Sequence, residues 1–175
     1  MGTTSNYSWP YPESSAYVAD GATAIENLAD AIDTTVSDLG KVTDYTPNLN
    51  FGTQGNGTLI ARYARVDDLV HWEFSFVLGS TSAISNGFRP SLPFTARQVT
   101  SNYGRYGSVY IRQYLTGEPY FGMYFYSESG VNARPVVFNE NSSQYQRGNT
   151  IVSASVPFSW ATGDSIFMTG TYLAA

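Results

Sequence analysis

Leu69-Val70-His71-Trp72-Glu73-Phe74-Ser75-Phe76-Val77-Leu78 decides the fold class. Val70, Trp72, Phe74, Phe76 and Leu78 alternate with Leu69, His71, Glu73, Ser75 and Val77, the period-two signature of a strand with one buried face. Asp67-Asp68 makes a turn back to a preceding strand, Leu59 to Val66. Further alternating runs occupy Ser108 to Leu115, Tyr120 to Tyr126, Arg134 to Phe138, Ile151 to Phe158 and Ser165 to Leu173, separated by turn signals such as Thr116-Gly117-Glu118-Pro119, Glu128-Ser129-Gly130 and Ala161-Thr162-Gly163-Asp164. Seven or eight short strands with no helix between them predict an antiparallel sandwich or barrel. Pro90, Pro93 and Pro157 are expected at edges or strand starts, because proline has no N–H to give a ladder.

Upstream of residue 51 the composition changes. Residues 1–50 carry seven acids and a single base, Lys41, for a net charge of −6, whereas residues 51–175 carry seven acids and eight arginines, net +1. Of 27 aromatic residues, 22 lie after position 50. The expected division is an extended arm over 1–17, a helix over 18–42, a linker over 43–50 where Pro47 and two asparagines interrupt regular structure, and a β-sandwich knob over 51–175.

The helix is expected over residues 20–39, with Asp20 as N-cap, Thr23 to Glu26 as an alternative capping box and Gly40 as the stop. Ile25, Leu28, Ile32, Val36 and Leu39 recur at helical spacing as one narrow apolar stripe, while Glu26, Asp30, Asp33 and Asp38 lie mostly off it. Such a stripe suits a seam between subunits or packing against the chain's own β-domain. In the arm, Pro10 and Pro12 bias Trp9 and Tyr11 toward extended backbone, so Trp9-Pro10-Tyr11-Pro12 cannot be helical. This segment is either a frayed tail or an anchor that docks Trp9 and Tyr11 on the body, a neighbouring subunit or a larger assembly.

Chemistry-bearing patterns are sparse. With no cysteine and only His71, disulfides, thiolate nucleophiles, cysteine-ligated metals and His-pair metal sites are excluded. No nucleophile elbow, phosphate loop, calcium loop or zinc-protease motif occurs. His71, beside Glu73 on the face opposite Trp72, reads as a surface or interface side chain. Glu73, Glu118, Glu128, Glu140 and Asp164 are the carboxylates from which a glycosidase pair would have to come, and most fall in turns, where acids are common. The expectation is therefore a protein that is not an enzyme and holds no catalytic residue, cofactor or metal. Scattered arginines on a nearly neutral body argue against a nucleic-acid partner, and no apolar run approaches the ~20 residues of a membrane span. Met1 to Tyr7 lacks a basic segment followed by an apolar one, so no export by signal peptide is expected.

Tyrosines are the most informative surplus. Tyr110, Arg112 and Tyr114 are expected to share one strand face opposite Val109, Ile111 and Leu115, and Tyr120, Tyr124 and Tyr126 a polar face opposite Phe121, Met123 and Phe125. Tyr103, Arg105, Tyr106, Tyr110, Arg112 and Tyr114 form the candidate glycan-binding or interface set, since a tyrosine offers a flat apolar ring with a polar tip.

Two stretches carry a resemblance. Asn6-Tyr7-Ser8-Trp9-Pro10-Tyr11-Pro12, followed by Val18 to Ala22 and Ala29 to Asp33, resembles the virion-attachment arm and short helix of small tail-fibre and other surface proteins of tailed bacteriophages that infect actinobacteria. Pro157 to Ile166 with Gly170-Thr171-Tyr172 is similar to the final strands of phage jelly-roll domains akin to the tumour necrosis factor fold. The resemblance implies a mainly β, antiparallel jelly-roll-like sandwich behind the arm and helix, assembled as a homotrimer. It also implies other virion proteins as partners of the N-terminal arm and a place on the virion surface after synthesis in the bacterial cytoplasm. The corresponding role is that of a minor tail or tail-fibre protein contacting host cell-envelope glycan. The alternative is a capsid decoration or head-fibre protein that binds no receptor.

Overall fold

The computed structural model describes residues 1–15, 17–97, 105–126, 129–139 and 147–175, the side chains of 105, 106, 139 and 147–149 excepted. The chain forms two compact units, Met1–Lys41 and Val42–Ala175. The boundary thus falls just before the expected linker, whose residues belong to the second unit.

In the N-terminal unit the arm is a hairpin rather than a simple extended segment. Strand β1 (Gly2–Thr3) pairs antiparallel with β2 (Pro10–Tyr11), and the reversal passes through Ser8 at φ 56. A 3₁₀ turn, Val18–Asp20, leads into α1 (Gly21–Asp38). Asp20 occupies the N-cap position but makes no side-chain cap bond; its backbone is already right-handed helical, whereas a side-chain cap normally needs an extended residue there. The Thr23–Glu26 capping box is likewise displaced, because the helix starts before it. Gly40, at φ 73, ends the helix as expected. The hairpin covers the flank of Ala24, Leu28, Ala31 and Thr35, and the Trp9 indole N–H donates to Thr35 Oγ1 at 3.0 Å.

The β-unit contains β3 (Thr43–Asp44), β4 (Gly52–Thr53), β5 (Thr58–Val66), β6 (Leu69–Val77), β7 (Ala83–Ile84), β8 (Arg105–Arg112), β9 (Pro119–Tyr126), β10 (Ala133–Asn139), β11 (Arg147–Ile151) and β12 (Ser165–Leu173). Eight of them form one antiparallel sheet in the order β11-β10-β9-β8-β12-β6-β5-β3, while β4 and β7 make a separate ribbon. Two meanders are therefore joined by the C-terminal strand, which pairs over its full length with β6 and over six residues with β8. The class is the expected one: mainly β, antiparallel, consistent with a sandwich, with one helix ahead of it.

Two strand assignments shift. The run expected over Ile151 to Phe158 ends as a strand at Ile151; beyond it Ser153 bridges to Val156 and the Trp160 indole donates to the Ser153 carbonyl, folding the segment on itself. The β8 strand stops at Arg112, where the Gln113 and Gly117 backbones close a turn. Pro135 sits inside β10 without loss of a ladder bond, because β11 pairs only from Val136 onward.

One face of the large sheet is buried. Val70, Trp72, Phe74 and Phe76 of β6, Val109 and Ile111 of β8, and Ile166 and Met168 of β12 form its centre. Non-strand segments and the β4–β7 ribbon cover it, bringing Leu49, Ile84, Phe88 and Leu92 onto the sheet, with Phe88 against Phe74 at 6.3 Å between ring centroids. A row of partners across four strands reads Trp72, Gly170, Gly107, Tyr124. Three strand spacings separate its ends, about 14 Å. With glycine at both inner positions the terminal rings lean together across the gap, to 5.3 Å between centroids, and the Trp72 indole donates to the Tyr124 hydroxyl at 2.9 Å.

Buried tyrosines make this core sensitive to alkali. Burial pushes the Tyr124 and Tyr172 phenols up to about 12 and Tyr45 higher still. A group whose folded pKa is raised contributes stability that is fully present below its unfolded value near 10 and is lost as pH rises toward the folded value. Urea midpoints are expected to hold steady up to about pH 10 and then fall steeply toward pH 12, with late tyrosinate absorbance appearing together with unfolding. Full tyrosine ionisation in the folded protein near pH 10 would contradict this packing.

Candidate functional site

The opposite, outer face of the sheet carries the candidate site. Phe167, Tyr110 and Phe121 are direct cross-strand neighbours on β12, β8 and β9, with ring centroids 5.9 and 5.6 Å apart. One row along, Val77, Ser165 and Arg112 stand side by side. The small Ser165 leaves a dip between its neighbours, bounded by Phe167 and Tyr110 on one side and Tyr114 on the other. The result is an open basin of about 490 Å³.

Tyr114 is held there by its backbone. Gly163 has φ 91, and a Cβ on it would lie 2.8 Å from Tyr114 Cγ, so only glycine lets the ring stand against that turn. Beside it the buried Asp164 carboxylate accepts the Tyr114 backbone N–H at 2.8 Å and the Ala161 N–H at 2.6 Å. The backbone of Tyr114, a residue 65% exposed, is thus held by one charge-assisted bond, the second ties the facing Ala161 turn to the same carboxylate, and the ring stands against Gly163. Arg112 is exposed and makes no ion pair among the described residues, whereas Arg62 and Arg97 are matched to Asp44 and Asp68.

Of the residues singled out from sequence, the structure brings Tyr110, Arg112 and Tyr114 together in this basin. Tyr103 and the side chains of Arg105 and Tyr106 lie outside the described residues. Leu115, expected on the buried face, is 89% exposed in the turn after β8. On β9 the expected polarity is reversed: Tyr124 is fully buried on the core face and Phe121 is 59% exposed on the outer one. The cause is the row of glycines, which gives the Tyr124 ring room and the Trp72 N–H as a donor.

Phe167, Ser165 and Gly163 escaped the sequence reading. Strand period within Ser165 to Leu173 sets Phe167 opposite Ile166 and Met168, a usable signal, whereas Gly163 read only as a turn residue and Asp164 as a turn acid or a candidate carboxylate. His71 sits 3.2 Å from Thr171 Oγ1 on the exposed face, and Asp164 is occupied with backbone. Glu128 and Glu140 lie outside the described residues. Among the described residues no group of three or more His, Asp or Glu side chains is arranged to hold a metal, and no helix is long and apolar enough to cross a membrane.

In the N-terminal unit the predicted stripe is divided. Leu28 and Ile32 lie at the border of the flank the hairpin covers, while Ile25, Val36 and Leu39 are more than half exposed within the single chain. Trp9 and Pro10, expected as a virion anchor, are half-buried in the unit, and Tyr11 and Pro12 are exposed. No protein-family model, curated protein or solved structure matches the chain.

Proposed function

We propose that the chain is a non-enzymatic structural protein of a bacteriophage particle, a homotrimer whose N-terminal unit faces the virion and whose β-unit contacts the host surface as part of the tail. The observation that carries the assembly is the row Ile25, Val36 and Leu39, aliphatic side chains left open on an 18-residue helix and its C-cap, whose adjacent flank is already covered. A helix with one flank packed and the next still apolar is built to meet another surface. Acidic residues beside the stripe remain solvated when it closes, so the net charge of −6 on residues 1–50 does not oppose that contact strongly at physiological salt. The trimeric state and the virion location come from the resemblance of the arm and the C-terminal strands to phage surface proteins.

Val36→Asp is expected to break the oligomer while leaving the chain folded, because the side chain is exposed in the single chain and would be buried only in the proposed assembly. Sedimentation should show loss of the oligomer with an unchanged circular dichroism spectrum. An unaltered oligomer would place the seam elsewhere. Gold-labelled antibody against the β-unit, applied to purified particles, tests the location. Label at the tail supports the proposal, label over the head replaces it with decoration of the capsid, and unlabelled particles overturn it.

A further inference from the structure

We infer that the basin of Tyr110, Arg112, Tyr114 and Phe167 is a binding site for one sugar residue bearing an acidic group, such as a uronic acid within a polysaccharide. This deepens the proposed host-contact role and rests on it only for the source of the polysaccharide. Three features of the basin select that ligand class.

Three aromatic residues, Tyr110, Tyr114 and Phe167, line it, the residue type whose flat apolar ring covers the C–H face of a pyranose. Arg112 supplies a guanidinium with no ion-pair partner among the described residues, the group best matched to a carboxylate in a two-bond fork. The largely buried Ser165 adds one hydroxyl to the lining, suited to one sugar hydroxyl. A long apolar peptide would leave the guanidinium unmatched, and a bare anion would leave the rings unused.

The basin is also prepared in advance. Asp164 holds the Tyr114 backbone with its ring against Gly163, and Tyr110 is wedged between Phe167 and Phe121, so the aromatic wall is placed before a ligand binds. An open basin on an exposed sheet face admits an internal residue of a long chain as readily as a terminal one.

The test is a titration of the purified full chain with methyl glucuronide, methyl glucoside and sodium acetate, followed by tyrosine fluorescence and by NMR shifts of the Tyr114 and Phe167 rings. The glucuronide should shift both rings and bind about tenfold more tightly than the glucoside or acetate, as expected of one charge-assisted contact. Arg112→Gln should remove that tenfold preference while leaving the weak glucoside binding, and Tyr114→Ala should weaken both sugars. Equal binding of the two sugars, or acetate binding as tightly as the glucuronide, overturns the inference. So do ring signals that no probe moves, the result expected if a second copy covers the basin. These readouts need no virion, so their failure and that of the particle labelling are distinguishable.

Discussion

Gly107→Ala is expected to destabilise the β-unit by about 3 kcal/mol or more, lowering its melting temperature by roughly 10 °C. A Cβ at this position would overlap the Thr169 carbonyl oxygen and the Tyr124 ring. Neither neighbour can retreat easily. The Thr169 carbonyl belongs to β12, the strand that joins the two meanders, and Tyr124 is fully buried and bonded to the Trp72 indole. Relief would require either opening the β8–β12 ladder or expelling a tyrosine ring from the core. Near-ultraviolet circular dichroism should therefore lose the Trp72–Tyr124 signature before secondary structure is lost. A variant with the parental melting temperature would show that the two rings do not occupy the gap above the glycines.

Asp164→Ala carries the second large effect. Its carboxylate is buried and satisfies the backbone N–H groups of Tyr114 and Ala161. Hydrogen bonds to a charged acceptor contribute roughly 1.5–3 kcal/mol each, and their removal leaves two donors without a partner. A loss of about 3 kcal/mol is expected in urea unfolding, with faster amide exchange at Tyr114 and Ala161 and no change at β5. Asp164→Asn should fall between, since its single carbonyl oxygen serves one of the donors and its amide group faces the other. The local part matters most for the basin, because Tyr114 would lose the bond that positions its backbone. Unchanged exchange at Tyr114 would show that Gly163 alone sets the loop.

The strands were legible where the two faces of the sequence differ sharply. In β6 every second residue is large and apolar while the intervening ones include His71, Glu73 and Ser75, so period and face followed together. Strand β9 was different, because tyrosine reads as polar on a surface and as aromatic in a core. Its burial is settled by Gly107, a residue on another strand whose register no local pattern reveals. The arm was legible in part for a related reason: proline keeps Trp9 to Pro12 out of a helix, but the reversal at Ser8 and the bond from Trp9 to Thr35 depend on residues that no local pattern connects. In the basin, Tyr110 and Arg112 followed from strand period, whereas the buried role of Asp164 did not, because an acid in a turn ordinarily faces water.

The exposed stripe of Ile25, Val36 and Leu39 carries the central proposal, that the chain assembles through its N-terminal unit. Native mass spectrometry of the purified chain at micromolar concentration tests it most directly. The dominant species should have three times the 19.1 kDa mass of one chain. A dominant 19.1 kDa species would contradict the assembly on which the proposed role depends.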